Sequence, residues 1–292
     1  MIFLLRLLAR VPLPWMHRLG VALGWLVWCC APAYRARFKA NAEAAGLSPA
    51  HYRPAIGAAG AALAELPWLW LRPQGESVLP RVTRWHGLAA FEAALASRRG
   101  VIMIVPHLGS WEMYGQAVGE RFLAAHGPLT ALFRPARKAW MARLIAGARD
   151  RPGLQTLPTN VTGVRGLIRT LRSGGYTGIL PDQVPPLGQG VWADFLGRPA
   201  YTMTLLSRLA QQTGAHVFLG VCERLPRGAG YAISFEPFDG TALSDPKATP
   251  EAAASAMNRG IEGLVRRLPG QYVWDYARYK QPKADAMRAP AP

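Results

Sequence analysis

The chain of 292 residues carries 34 Lys and Arg against 17 Asp and Glu, a net charge of +17, and half of its residues are hydrophobic. That balance excludes a disordered chain, and 30 Gly and 25 Pro without a strict period exclude a collagen-like one. A field of this sign attracts phosphates, anionic lipid or nucleic acid, although 29 Arg among the 34 basic residues also fits codon bias. Cys29, Cys30 and Cys222 show none of the spacings of a disulfide framework or a zinc site, which fits a reducing compartment and predicts no metal.

Along the chain, Leu19 to Tyr34 is a stretch of 16 residues free of Asp, Glu, Lys and Arg. It falls short of the roughly 20 residues of an unaided transmembrane helix. With the apolar run Ile2 to Leu8, and with Trp15, Trp25 and Trp28 as interfacial rings, it predicts an N-terminal membrane-anchoring helix within residues 1–40. Arg35, Arg37 and Lys39 follow directly and favour a cytoplasmic position for the rest of the chain. A secretory signal ending near Ala31-Pro32-Ala33 and a buried N-terminal helix of a soluble protein are the competing readings.

Residues 41–281 read as one α/β domain and 282–292 as a loose, Pro-rich tail. A helical stretch over 36–65 breaks near Gly46 to Pro49, where Ser48 can cap and Pro49 can open a helix. Leu66 to Leu71, with Trp68 and Trp70, reads as core packing or a lip at a membrane surface. Strands are predicted at Val82 to Trp85, Val101 to Val105, Thr130 to Phe133, Thr177 to Leu180, Val217 to Cys222 and Tyr231 to Phe235. Helices are predicted at Leu88 to Ser97, Lys138 to Arg149, Val161 to Arg172, Thr202 to Thr213 and Pro250 to Arg267. The alternation implies a mixed, largely parallel sheet flanked by helices.

The apolar 101–105 strand feeds Pro106-His107-Leu108-Gly109-Ser110-Trp111-Glu112. Open α/β sheets carry their sites at the carboxyl ends of strands, and His107 lies two residues past this one. If Ser110 caps the next helix, Glu112 falls in its first turn, where the helix dipole favours a carboxylate. On a continuous helix the two side chains would diverge, but with His107 in the loop and Glu112 at the helix start they can converge, and Gly109 permits the tight turn. An imidazole beside a carboxylate suits removal of a proton from a hydroxyl, the Glu orienting the ring and stabilising its charged form. No second ligand at metal spacing lies nearby.

The histidine, four residues and an acidic residue resemble the bacterial lipid A late acyltransferases, lauroyl and myristoyl types included. Further segments resemble that family in the same order: Phe133-Arg134-Pro135, Gly163 to Arg165, Pro181-Asp182-Gln183, Asp194 to Ala200, Leu268 to Trp274 and Arg278 to Lys280. The resemblance covers roughly residues 11–280. It implies a glycerolipid-acyltransferase-like fold, His107 and Glu112 as a catalytic dyad, and no cofactor. It further implies an acyl carrier protein thioester as donor, an anionic glycolipid as acceptor, and the cytoplasmic face of the inner membrane as the place of work. Arg134 becomes a substrate or transition-state contact and Arg165 a phosphate contact, or part of a solvated face with Arg169 and Arg172. Asp182 and Gln183 order the dyad loop or bind substrate, while Tyr272, Trp274, Arg278 and Lys280 anchor the carboxyl-terminal segment. Pro106 stands where many relatives carry Asn. Lysophospholipid acyltransferases, with Asp at the place of Glu112, and acceptors such as ornithine lipid are rival readings. A non-catalytic basic binder is another, although no nucleic-acid motif is present and no nucleic-acid partner is expected.

Overall fold

The computed structural model describes residues 2–133 and 151–283. Helices come first: α1 (Ile2–Leu8), α2 (Leu13–Cys30), α3 (Pro32–Ala44), α4 (Pro49–Ala64) and α5 (Leu66–Leu71). Pro32 and Pro49 occupy the first positions of α3 and α4, where a missing N–H costs nothing. Ser48 precedes α4 as expected, but its hydroxyl lies 2.8 Å from His51 Nδ1 and caps no backbone amide.

The α/β part then runs β1 (Val82–His86), α6 (Leu88–Ala96), β2 (Val101–Ile104), α7 (Trp111–His126), β3 (Leu129–Phe133) and β4 (Leu154–Pro158). It continues with α8 (Val161–Arg172), β5 (Tyr176–Ile179), β6 (Gly190–Phe195), β7 (Arg198–Met203) and α9 (Leu205–Thr213). The last elements are β8 (His216–Arg224), β9 (Tyr231–Pro237), α10 (Thr241–Ser244) and α11 (Pro250–Arg267). Seven strands form one sheet in the order β1-β9-β8-β2-β5-β3-β4, parallel throughout except for the antiparallel pair β8–β9. Strands β6 and β7 form a separate antiparallel hairpin.

Strand β2 is buried on both faces, as its unbroken apolar run requires. Its side chains alternate between two layers. Val101 and Met103 join Phe91, Met113, Val118 and Phe122 of α6 and α7 on one face, while Ile102 and Ile104 join Leu167, Leu206, Leu209 and Ile261 of α8, α9 and α11 on the other. The helix ends obey local chemistry. Asn160 Oδ1 accepts from Gly163 N at 3.0 Å at the start of α8, and Thr249 Oγ1 from Ala252 N at 3.2 Å at the start of α11.

Three differences from the sequence reading have physical causes. The helix expected over 202–213 begins at Leu205, because Thr202 and Met203 are held in the β6–β7 ladder opposite Val191 and Gly190. That hairpin turns on Leu196 and Gly197, both at positive φ, a short turn that the sequence reading passed over. Strand β4 was missed because a five-residue edge strand ending in Pro gives almost no pattern. The helix expected at 138–149 lies outside the described residues, as does residue 134.

Among the described residues no single helix is long and apolar enough to cross a membrane. Helices α2 and α3, bent by 101° at their junction, meet the length and composition test only together. One side of α2 packs closely on α4, where a Cβ on Gly60 would come within 1.9 Å of Gly20 O. Away from that seam α2 exposes Trp15 (61%), Leu19, Leu23, Trp25, Leu26 (56%) and Val27.

Candidate active site

Strands β2 and β5 are parallel neighbours, and their pairing runs one step further through Val105 N to Ile179 O at 2.9 Å. His107 and Asp182 each sit three residues beyond the last strand residue, so adjacent carboxyl ends deliver both side chains to one place. His107 Nδ1 lies 2.7 Å from Asp182 Oδ1, and the His107 backbone N–H donates to Oδ2 at 2.9 Å. Thus one carboxylate fixes both the ring and the loop that bears it.

The Asp182 side chain is 2% exposed and that of His107 17%. Burial by itself would raise the Asp182 carboxyl, but the His107 charge, the two hydrogen bonds from His107 and the nearby Arg278 charge hold it below its usual value. An ionised carboxylate only accepts, so Nδ1 carries a proton, and in the neutral form of the ring the lone pair is then on Nε2. There Nε2 of Gln183 approaches at 3.1 Å, with the amide as donor. The imidazole, partly exposed, thus offers Nε2 as a hydrogen-bond acceptor in its neutral form.

The loop itself is fastened from both flanks. Gly109 has φ +64°, and a Cβ there would lie 2.1 Å from Cys222 O, so this position needs glycine. Ser110 N donates to Cys222 O at 2.7 Å on β8, Gly109 N to Gln271 O at 3.1 Å, and Val273 N to His107 O at 3.2 Å. Ser110 stands at the N-cap position of α7, but its hydroxyl does not cap the helix; it donates to Glu65 Oε1 at 2.6 Å. From the carboxyl-terminal segment comes buried Tyr272, whose hydroxyl is pushed well above its ordinary pKa by burial and by the neighbouring Asp182 charge. Arg278 reaches Tyr201 O at 2.6 Å and Thr202 Oγ1 at 2.7 Å.

Glu112 falls in the first turn of α7, and its Oε2 accepts from Trp70 Nε1 at 3.3 Å. Trp111 lies edge-on to His107 with ring centroids 5.0 Å apart. The carboxylate that grips the imidazole is therefore Asp182, a residue the sequence reading assigned to ordering the loop or binding substrate. Arg165 is exposed on α8, with Arg169 one turn further along the same face. Arg134 lies outside the described residues. Sequence reasoning missed Tyr272 as a neighbour of Asp182, Gln271 as a tie to the loop, and Glu65; none has a local signal, because each acts across a long stretch of chain.

A partly exposed imidazole, oriented by a buried carboxylate at the carboxyl ends of adjacent parallel strands, forms a site suited to general-base chemistry on a hydroxyl. The profile of the bacterial lipid A biosynthesis acyltransferases matches residues 1–281, and the chain belongs to that family. It is 25% identical over 284 residues to a lipid A biosynthesis lauroyltransferase of Escherichia coli, covering 94% of this chain and 88% of that protein. It is 29% identical over 198 residues to a lipid A biosynthesis acyltransferase of Haemophilus influenzae; the match covers 67% of this chain and only 58% of that relative's length. A phosphatidylinositol mannoside acyltransferase of Mycobacterium tuberculosis is 27% identical over 151 residues, half of this chain and 46% of the relative.

Proposed function

We propose that the protein transfers a fatty acyl chain from an acyl carrier protein thioester to a hydroxyl of a lipid A precursor, with His107 as general base. The observation that carries this reading is the imidazole fixed through Nδ1 by Asp182 with Nε2 as acceptor. The acceptor hydroxyl displaces the Gln183 amide from Nε2 and gives up its proton as its oxygen attacks the thioester carbonyl. The C–S bond then breaks, and the proton passes to the departing thiolate. Asp182 stabilises the imidazolium that forms meanwhile. Glu112, first proposed as the dyad partner, adds negative charge at the start of α7 and helps to offset the same developing charge. Arg134 and Arg165 are proposed contacts for the acceptor's phosphates, which the planar guanidinium suits.

The net charge of +17 supports an acidic carrier protein as donor partner and an anionic glycolipid as acceptor. The exposed apolar residues of α2, followed by Arg35 and Arg37, support seating on the cytoplasmic face of the inner membrane. In this reading α2 lies in the interface and anchors without spanning.

The test is mass spectrometry of the lipid fraction from cells lacking the protein and complemented with wild type or with His107→Ala. Wild type should restore one acyl mass on lipid A and His107→Ala should not. Restoration by the variant removes His107 from the chemistry; an acyl gain on another glycolipid moves the acceptor toward the class named by the mycobacterial relative.

A further inference from the structure

Directly beneath the active-site loop lies a second buried polar cluster that the proposed chemistry does not use. Glu65, at the junction of α4 and α5, is 1% exposed. Each of its partners comes from a different element. His17 Nε2 of α2 lies 3.1 Å from Oε2, Tyr231 of β9 donates to Oε2 at 2.9 Å, and Ser110 of the loop donates to Oε1 at 2.6 Å. Arg224, at the end of β8, closes on both oxygens, with Nε 2.8 Å from Oε2. Burial alone would raise this carboxyl, but the Arg224 charge and the hydrogen bonds from Arg224, His17 and Ser110 bring it down to about 2.

Packing does not require this arrangement, since well-fitted apolar residues replace a buried ion pair at little or no cost in stability. What a carboxylate adds is direction: its lone pairs accept only from donors placed at defined angles. Ser110 is the relevant donor. It lies three residues past His107 and two before Glu112, and its hydroxyl proton goes to Glu65 although an N-cap position offers it backbone work. His17 approaches Glu65 from the buried side of α2, away from exposed Trp15 and Leu26. The same carboxylate thus touches both the helix with the exposed apolar face and the loop with the base.

We infer that Glu65 is a positioning residue for the reaction: through Ser110 it sets the placement of the His107 loop, and through His17 it references that loop to α2. This rests on His107 acting as the base. A displacement of about 1 Å at a reacting group costs on the order of a hundredfold in rate, so losing one of several loop ties should cost about tenfold.

The experiment compares purified full-length wild type, Ser110→Ala, Ser110→Thr, Tyr176→Phe and His107→Ala, with lauroyl acyl carrier protein as donor and a purified lipid A precursor as acceptor. Tyr176 lies at the other end of the sheet and donates to Gly127 O at 3.0 Å, so its loss matches that of one buried hydrogen bond away from the site. Ser110→Ala should lower kcat about tenfold with both KM values within about twofold of wild type, and Ser110→Thr, which keeps a hydroxyl, should recover most of it. Tyr176→Phe should lower Tm to a similar extent with kcat unchanged. An unchanged kcat in Ser110→Ala, a loss confined to KM, or a kcat loss in Tyr176→Phe in proportion to its Tm overturns the inference. His107→Ala separates the two readings: full turnover there refutes the base assignment, whereas an inactive His107→Ala beside a fully active Ser110→Ala refutes only the role of Glu65.

Discussion

The Asp182–His107 pair and the Glu65–Arg224 cluster are built from the same kinds of groups and put to opposite uses. Each centres on a buried carboxylate held below its usual pKa by a basic partner, and each touches the 107–112 loop. Around Glu65 both oxygens are met by donors from four elements. The His107 ring stays partly exposed, and at its Nε2 stands the Gln183 amide. In the proposed mechanism the closed cluster gives rigidity and the open pair gives chemistry, through one hydrogen-bonding position that a substrate can take over.

The comparison breaks most sharply at Asp182. Asp182→Asn replaces an acceptor by a group that also donates, so Nδ1 loses its fixed proton and kcat should fall by about 10³ to 10⁴; a fall under tenfold in steady-state assays would place ring orientation elsewhere. Glu65→Gln should act on stability, costing about 3 to 5 kcal/mol because the Arg224 charge loses its partner. Glu65 has a folded pKa near 2 against an ordinary 4.5, so its contribution is fully present above pH 4.5 and is lost as the pH falls toward 2. Denaturant melts of wild type and Glu65→Gln should therefore converge below pH 4.5; a constant gap would assign the stabilisation to another group.

Two smaller effects sharpen the picture. Gly109→Ala forces a Cβ onto Cys222 O and should lower kcat about a hundredfold, with KM measured alongside to show that binding survives. Glu112→Gln should cost about tenfold in kcat if the residue supplies charge, since single exposed or half-exposed charges contribute modestly. Indifference to that change would leave Glu112 a structural role, such as accepting from Trp70.

Much of the architecture was legible from the chain because its signals are local. The unbroken apolar run of β2, the Asn160 and Thr249 caps, and the prolines opening α3 and α4 each act within a few residues. His107 drew attention for the same reason, as a titratable side chain just past a strand. Its partner did not stand out, because the meeting of His107 with Asp182 depends on β5 lying beside β2, and strand order leaves no mark on either segment. Asp182, 75 residues away in sequence, is brought within 2.7 Å of the ring. Helix α2 shows the converse. Its apolar composition was plain, but which residues face outward follows from the glycine seam against α4, a tertiary fact.

The supports of Asp182 and its loop that come from Gln271, Tyr272, Val273 and Arg278 bear on how the protein is made. During synthesis the histidine leaves the ribosome long before the segment that braces its partner carboxylate. A nascent chain thus carries His107 without its completed setting, which forms only when the last braces have been translated and laid across the loop. An interrupted translation product would then present an imidazole whose orientation is not yet fixed.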